Sequence, residues 1–191
     1  VVNSEKFDEI IFSSDDEEIN EVASQIKGIT IEKRNPKLAE DKTKVIDLVK
    51  SISERNEVKN KFDTIGLFLP TCPFRSFMDI QNGFELLTKD DFSVVSVTQM
   101  QDPVQLAMTI DKDNLANLDA IINPSPLVTG DTRSQDFQKI YRVNGGFYIA
   151  WLEKFIKKDN FFQGKVKTYE MSNLCSVDID YELDFEWAEY L

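Results

Sequence analysis

Thr64-Ile65-Gly66-Leu67-Phe68-Leu69-Pro70-Thr71-Cys72-Pro73-Phe74-Arg75 is the stretch on which the fold turns. From Thr64 to Leu69 the chain is nearly all apolar, and Pro70 stops it. So short and continuous a run suits a strand covered on both faces, the habit of parallel strands. Ligands collect beyond the carboxyl ends of such strands. Thr71 and Arg75, just past the stop, are therefore candidate site residues, although Arg75 reads equally well as a cap or bridge to Asp79.

The pattern extends outward in both directions. Phe7–Ser14 reads as a short strand, and Asp15-Asp16-Glu17-Glu18 opens a helix to about Lys27, with acidic residues favoured in its first turn. Gly28 ends that helix and Ile29–Lys33 is a second strand. Thr43–Glu54 carries Val45, Ile46, Leu48, Val49 and Ile52 at helical spacing. Asp79 is predicted to cap a helix to about Leu87, and Phe92–Thr98 to form a strand. After an irregular excursion over about 103–141, Val143–Ala150, a helix from about Trp151, a strand at Val166–Met171 and a helix from about Leu183 complete the series. Strand and helix in alternation predict an α/β fold with a doubly wound, mostly parallel sheet in a single domain spanning residues 1–191.

Composition narrows the chemistry. The 191 residues carry a formal net charge of -12, which argues against a nucleic-acid partner. No histidine is present, which removes Ser-His-Asp and Cys-His catalysis and histidine-ligated zinc. Two cysteines, Cys72 and Cys175, cannot build a structural zinc site alone. Any metal is expected to be a hard cation on carboxylates. No apolar stretch approaches the ~20 residues of a membrane helix. The start, Val1-Val2-Asn3-Ser4, has no signal-peptide pattern, and a cytoplasmic location is expected.

Val1–Lys6 reads as the tail of a helix, so one strand and a phosphate-binding loop are expected upstream of residue 1. No GxGxxG or GxxxxGK pattern occurs among the seven glycines.

Asp178 and Asp180 stand two apart in Val177-Asp178-Ile179-Asp180. On an extended segment that spacing puts both carboxylates on one face, which suits Mg²⁺. A solvated acidic strand end before a helix accounts for the same spacing. Asn144-Gly145-Gly146 is a turn or close-approach signal.

Four segments resemble, in order, the CMP-N-acylneuraminate cytidylyltransferase (CMP-sialic acid synthetase) family. Phe7–Ile19, continuing to Arg34-Asn35-Pro36-Lys37-Leu38-Ala39-Glu40-Asp41, is similar to "VSTDDEEI" and "RPxELAxD". Leu69–Arg75 is similar to "QPTSPLR", Tyr141–Ile149 to "RxNGAIYI", and Val177–Glu189 to "IDIDTxxDxxxAE". Each motif is weak alone, but their order across nearly the whole chain is specific. The family's glycine-rich, basic N-terminal signature has no match in these residues.

The resemblance implies transfer of CMP from CTP to a nonulosonic sugar acid, with Mg²⁺ on Asp178 and Asp180 and release of pyrophosphate. It places Arg34, Asp41 and Arg75 near the nucleotide. It places Arg133, Arg142, Asn144, Tyr148, Thr71 and the positions of Leu69 and Gln105 near the sugar acid. Leu69 replaces the family's glutamine, and Gln105 stands where a lysine is common, so an altered sugar is expected. Cys72 is read as packing, since no histidine could activate it. The resemblance also implies a homodimer through the excursion. Rival readings are another sugar or nucleotide on the same fold, or a non-catalytic dimeric homologue.

Overall fold

The computed structural model describes residues 1–40 and 42–191. Ile11–Ser14 (β1) and Thr30–Lys33 (β2) pair in parallel around helix α1, Glu17–Ser24. Asp16 caps α1 by accepting from the Ile19 amide at 3.0 Å, with Glu17 and Glu18 in the first turn. Helices α2 (Val45–Ser53) and α3 (Asn56–Lys59) follow, the latter too short to show a periodic signal. Then come β3 (Thr64–Leu67), α4 (Phe77–Glu85) and β4 (Ser93–Gln99). Asp79 was the expected cap of α4, but Ser76 holds that place and Asp79 closes the box. The Ser76 hydroxyl accepts from the Asp79 amide at 3.1 Å, and the Asp79 carboxylate from the Ser76 amide at 2.8 Å.

The excursion holds the two-residue strands β5 (Thr109–Ile110) and β6 (Ala116–Asn117) and one turn of helix, α5 (Pro126–Thr129). The chain ends through β7 (Tyr141–Trp151), α6 (Leu152–Lys158), β8 (Val166–Glu170) and α7 (Glu182–Tyr190).

The central sheet has the order β3-β7-β4-β8. β4 and β8 are parallel, while β7 runs antiparallel to both β3 and β4. Three strands thus share one direction and β7 alone is reversed. The cause lies in what precedes it. A helical crossover returns a chain to the same end of a sheet, but β7 follows an irregular excursion with no crossover helix, and enters from the opposite end.

Both faces of the sheet are covered, as the continuous apolar strands predict. Val94, Phe147 and Ile149 pack with Ile80 of α4 and with Met171 on one face. Val95, Val97 and Ala150 pack with Val49 of α2 and with Phe155 and Phe161 on the other. Burying each large side chain of this kind contributes roughly 1.5–3 kcal/mol. α4 approaches closely because Gly83 has no side chain: a Cβ there would lie 2.2 Å from Phe147 Cζ.

One irregularity positions the site. Val95 opposes Tyr148, but Val97 opposes Val143, so two steps along β4 span five along β7. The extra residues of β7 form a bulge around Asn144-Gly145-Gly146. Bulges re-aim side chains at the cost of ladder bonds. Gly145 takes φ +73°, which other residues rarely adopt.

Candidate active site

Three segments of the chain meet beyond the carboxyl end of β3. The turn Pro70–Pro73 leaves that strand, the bulge of β7 lies beside it, and residues 172–180 cross both. The Ile179 amide donates to the Thr71 carbonyl at 2.9 Å. Cys72, fully buried, directs its thiol to the Cys175 carbonyl at 3.7 Å. Burial pushes the Cys72 thiol up, against the nearby Arg75 cation, which agrees with a packing role.

Asp178 lies between these docking points and is half-buried. Its Oδ1 is buried with no hydrogen-bond partner among the described residues. A carboxylate oxygen left in that state calls for a cation or donor. Tyr148 lies within its electrostatic reach. Burial, and then the Asp178 charge, push the Tyr148 hydroxyl up from its ordinary value. The ring of Tyr148 also packs 5.7 Å from Phe161, so sheet packing and the site share this residue.

Asp180 is exposed, two residues on. Its amide and that of Tyr181 both donate to Asp184 Oδ2, at 3.0 and 2.9 Å, so Asp184 starts α7 and leaves the Asp180 carboxylate free of that duty. No cluster of three or more metal-ligating side chains occurs among the described residues. Mg²⁺ does not require one, since it is commonly held by one or two carboxylates plus phosphate oxygens and water. The unpartnered oxygen of Asp178, with Asp180 two residues on in the chain, fits that mode.

Arg142 on β7 reaches the same segment, with one guanidinium nitrogen 3.5 Å from the Ser176 carbonyl. Leu69 closes over the bulge, 3.3 Å from where a Gly145 Cβ would stand.

Two expected ligand contacts are turned inward instead. Asn144 has no exposed surface. Its Oδ1 accepts from Ser96 Oγ at 2.6 Å and its Nδ2 donates to Ser176 Oγ at 2.8 Å. An amide spent inside the sheet cannot face a sugar acid. Arg75 neither caps α4 nor meets Asp79. Its guanidinium donates to the carbonyls of Gly146 at 2.6 Å and Leu69 at 3.2 Å, beneath the bulge. Burial lowers its pKa.

Other expected residues stand elsewhere. Arg133 is exposed on the excursion and pairs with Asp136 at 3.3 Å. Gln105 is buried in the excursion, donating to the Gln138 carbonyl at 2.9 Å. Arg34 lies past β2, where its guanidinium donates to the Ser13 carbonyl. Its Nε is buried with no hydrogen-bond partner among the described residues, beside a cleft lined by Asn35, Leu48 and Ser51. Asp41 lies outside the described residues. Ser96 and Ser176 escaped sequence reading. Only the nearness of Ser176 to Asp178 in the chain could have drawn attention to it.

Comparison with known proteins bears on this arrangement. No family model matches the chain. The N-acylneuraminate cytidylyltransferase of Streptococcus agalactiae is 27% identical, over 96% of this chain and 43% of that protein. The pseudaminic acid cytidylyltransferase of Campylobacter jejuni is 26% identical, over 100% of this chain and 80% of the relative. The chain is similar to these nonulosonic-acid cytidylyltransferases over nearly its whole length. It spans less than half of the streptococcal relative's length and about four-fifths of the Campylobacter one. The solved structure of a CMP:2-keto-3-deoxy-manno-octonic acid synthetase complexed with CTP superposes with a TM-score of 0.58 at 10% identity, covering 96% of this chain and 82% of that one. That likeness concerns the fold. Within the cytidylyltransferase family's pattern, three of the four segments that carry the sequence resemblance meet at one place here. They are Leu69–Arg75, Tyr141–Ile149 and the start of Val177–Glu189.

Proposed function

We propose that the chain belongs to a cytidylyltransferase that activates a nonulosonic sugar acid with CTP, yielding the CMP-sugar and pyrophosphate. The observation that carries this reading is the unpartnered, buried carboxylate oxygen of Asp178, held where three family segments converge. The relatives' names supply the reactants.

In the proposed mechanism the anomeric hydroxyl of the sugar acid attacks the α-phosphorus and pyrophosphate departs. Alignment of the reactants carries much of the rate. No covalent enzyme intermediate is needed, which suits a chain without histidine and with a sealed Cys72. Asp178 and Asp180 would hold Mg²⁺, whose contribution when bound is to neutralise triphosphate charge. Arg142 supplies a fixed cation beside the acidic segment, suited to a carboxylate or phosphate. Arg34, whose Nε has no partner among the described residues, is the nucleotide-side candidate.

The sugar itself is open to a second reading. Leu69 offers no hydrogen bond at a position beside the bulge, which favours a sugar acid with an apolar group there. We also propose a homodimer through the excursion, where Ile110, Leu115, Ile121 and Val128 are exposed, and a cytoplasmic location, in keeping with two free cysteines. Among the described residues no helix is long and apolar enough to cross a membrane.

The test is pyrophosphate release from CTP by the full-length protein across a panel of sialic, pseudaminic and legionaminic acids. Release with at least one acid, dependent on Mg²⁺, is expected. No release with any acid, while a control enzyme works, overturns the reading. Stronger thermal stabilisation by GTP or UTP than by CTP would contradict the cytidine assignment.

A further inference from the structure

We infer that Ser96, Asn144 and Ser176 form a sealed hydrogen-bond relay that sets the position of Asp178, with Ser176 as a positioning residue for the proposed cation site. This rests on the reading of Asp178 as a cation ligand.

The relay begins on β4. Ser96 Oγ donates to Asn144 Oδ1 at 2.6 Å and accepts from the Phe147 amide at 2.7 Å. The Gly146 amide also donates to Asn144 Oδ1, at 3.2 Å. Asn144 Nδ2 donates to Ser176 Oγ at 2.8 Å and has Met171 Sδ at 3.3 Å. Ser176 Oγ in turn donates to the Ser172 carbonyl at 2.7 Å. Ser96 and Asn144 are 0% exposed and Ser176 is 2% exposed, so no water competes.

An amide has two acceptor sites and two N–H donors, and Asn144 uses all four. The donor-to-acceptor direction runs from Ser96 to Asn144 to Ser176 to Ser172, with the Phe147 carbonyl, 3.2 Å from Ser96 Oγ, as a second acceptor for the Ser96 proton. Such a network holds one geometry because every member is satisfied.

What it holds is the acidic segment. Residues 176–179 meet the sheet region at three polar contacts: Ser176 Oγ through Asn144, the Ser176 carbonyl at 3.5 Å from the Arg142 guanidinium, and the Ile179 amide on the Thr71 carbonyl. Asp178 sits between the anchors. Its Oδ1 has no partner among the described residues. The direction of that carboxylate is set by the backbone on either side. The bulge in β7 explains why Asn144 can act this way, because it turns the amide into the sheet, between Ser96 and Ser176. The role follows from burial: a residue with no exposed surface positions the site without touching a ligand.

The test compares full-length wild type with Ser176→Ala, Ser96→Ala and Asp178→Asn. Amide hydrogen exchange is followed across residues 176–180 and across β4 and β7, and Mn²⁺ affinity is measured by electron paramagnetic resonance. Ser176→Ala is expected to speed exchange at Ile179 while the sheet amides keep their protection. It should weaken Mn²⁺ binding by about 10-fold, the usual scale for loss of a group behind a metal ligand. Ser96→Ala, one bond further away, should act in the same direction and less.

Unchanged exchange at Ile179 in Ser176→Ala overturns the relay. So does acceleration spread equally over β4 and β7, which would mean general loosening. Wild-type Mn²⁺ affinity in Ser176→Ala, when Asp178→Asn binds more weakly, also overturns it. Equal Mn²⁺ binding by wild type and Asp178→Asn would instead sink the cation reading. In that event the relay as an anchor of the segment stands or falls on the exchange data.

Discussion

Residues 172–180 and the excursion of about 103–141 are both irregular, yet they are held in opposite ways. The first is tied to the sheet by a buried bond, Asn144 to Ser176, and a half-buried one, Ile179 to Thr71. The second carries exposed Ile110, Leu115, Ile121 and Val128 and an exposed Arg133. A loop is placed accurately when its polar atoms find partners inside the core. A loop that instead leaves apolar side chains in water is one whose contacts have yet to be made, here proposed to be with a second copy.

The largest expected effect comes from Asp178→Asn. Removing the charge that would face the triphosphate cation should lower kcat by about 100-fold or more, measured by pyrophosphate release. The melting temperature should stay or rise, because a partly buried and unpaired charge is being removed. A loss of both activity and stability would make Asp178 a structural anchor and erase the difference between the two loops. Asn144→Ala should cost about 2–3 kcal/mol in denaturant unfolding, since it removes one bond from each of two buried serine hydroxyls and one from the Gly146 amide, and leaves a cavity. A cost under about 0.5 kcal/mol would place it with exposed surface positions.

Acid titration probes the sheet itself. Asp91 is fully buried and lies 3.0 Å from Lys165 and 3.1 Å from Lys167, with Thr88 donating to it. The Thr88 hydrogen bond, and then the lysines, hold its carboxyl well below the usual carboxylate range. A depressed folded-state pKa stabilises the protein above the ordinary Asp value, and that contribution is lost as pH falls through the folded one. Asp91→Asn should therefore flatten the decline in stability below about pH 4, followed by urea unfolding as a function of pH. A decline as steep as that of wild type would assign it to other groups.

Changes in the excursion should register least in stability. Ile121→Glu is expected to shift monomer stability by no more than about 0.5 kcal/mol while halving the mass seen by sedimentation equilibrium. A monomer mass for wild type at micromolar concentration would remove the proposed second copy. Arg133→Ala should leave unfolding unchanged, since its pair with Asp136 is exposed. Any effect it has should appear as a raised KM for the sugar acid.

Much of this was legible in the residues alone. The alternation of strand and helix, the cap region of α4, the apolar strand at Thr64 and the acidic pair at Asp178 and Asp180 all depend on neighbours a few positions apart. Apolar period and capping chemistry encode such features locally. The reversed direction of β7, the inward turn of Asn144 and Arg75, and the retreat of Gln105 into the excursion do not. Ser96 and Asn144 are separated by 48 residues, and Asn144 and Ser176 by 32. Sequence shows that Asn144-Gly145-Gly146 must bend, but not which way the amide then faces. That was decided by the register of β7 on β4, where the bulge put one polar side chain between two buried hydroxyls and left one carboxylate oxygen beyond them without a partner.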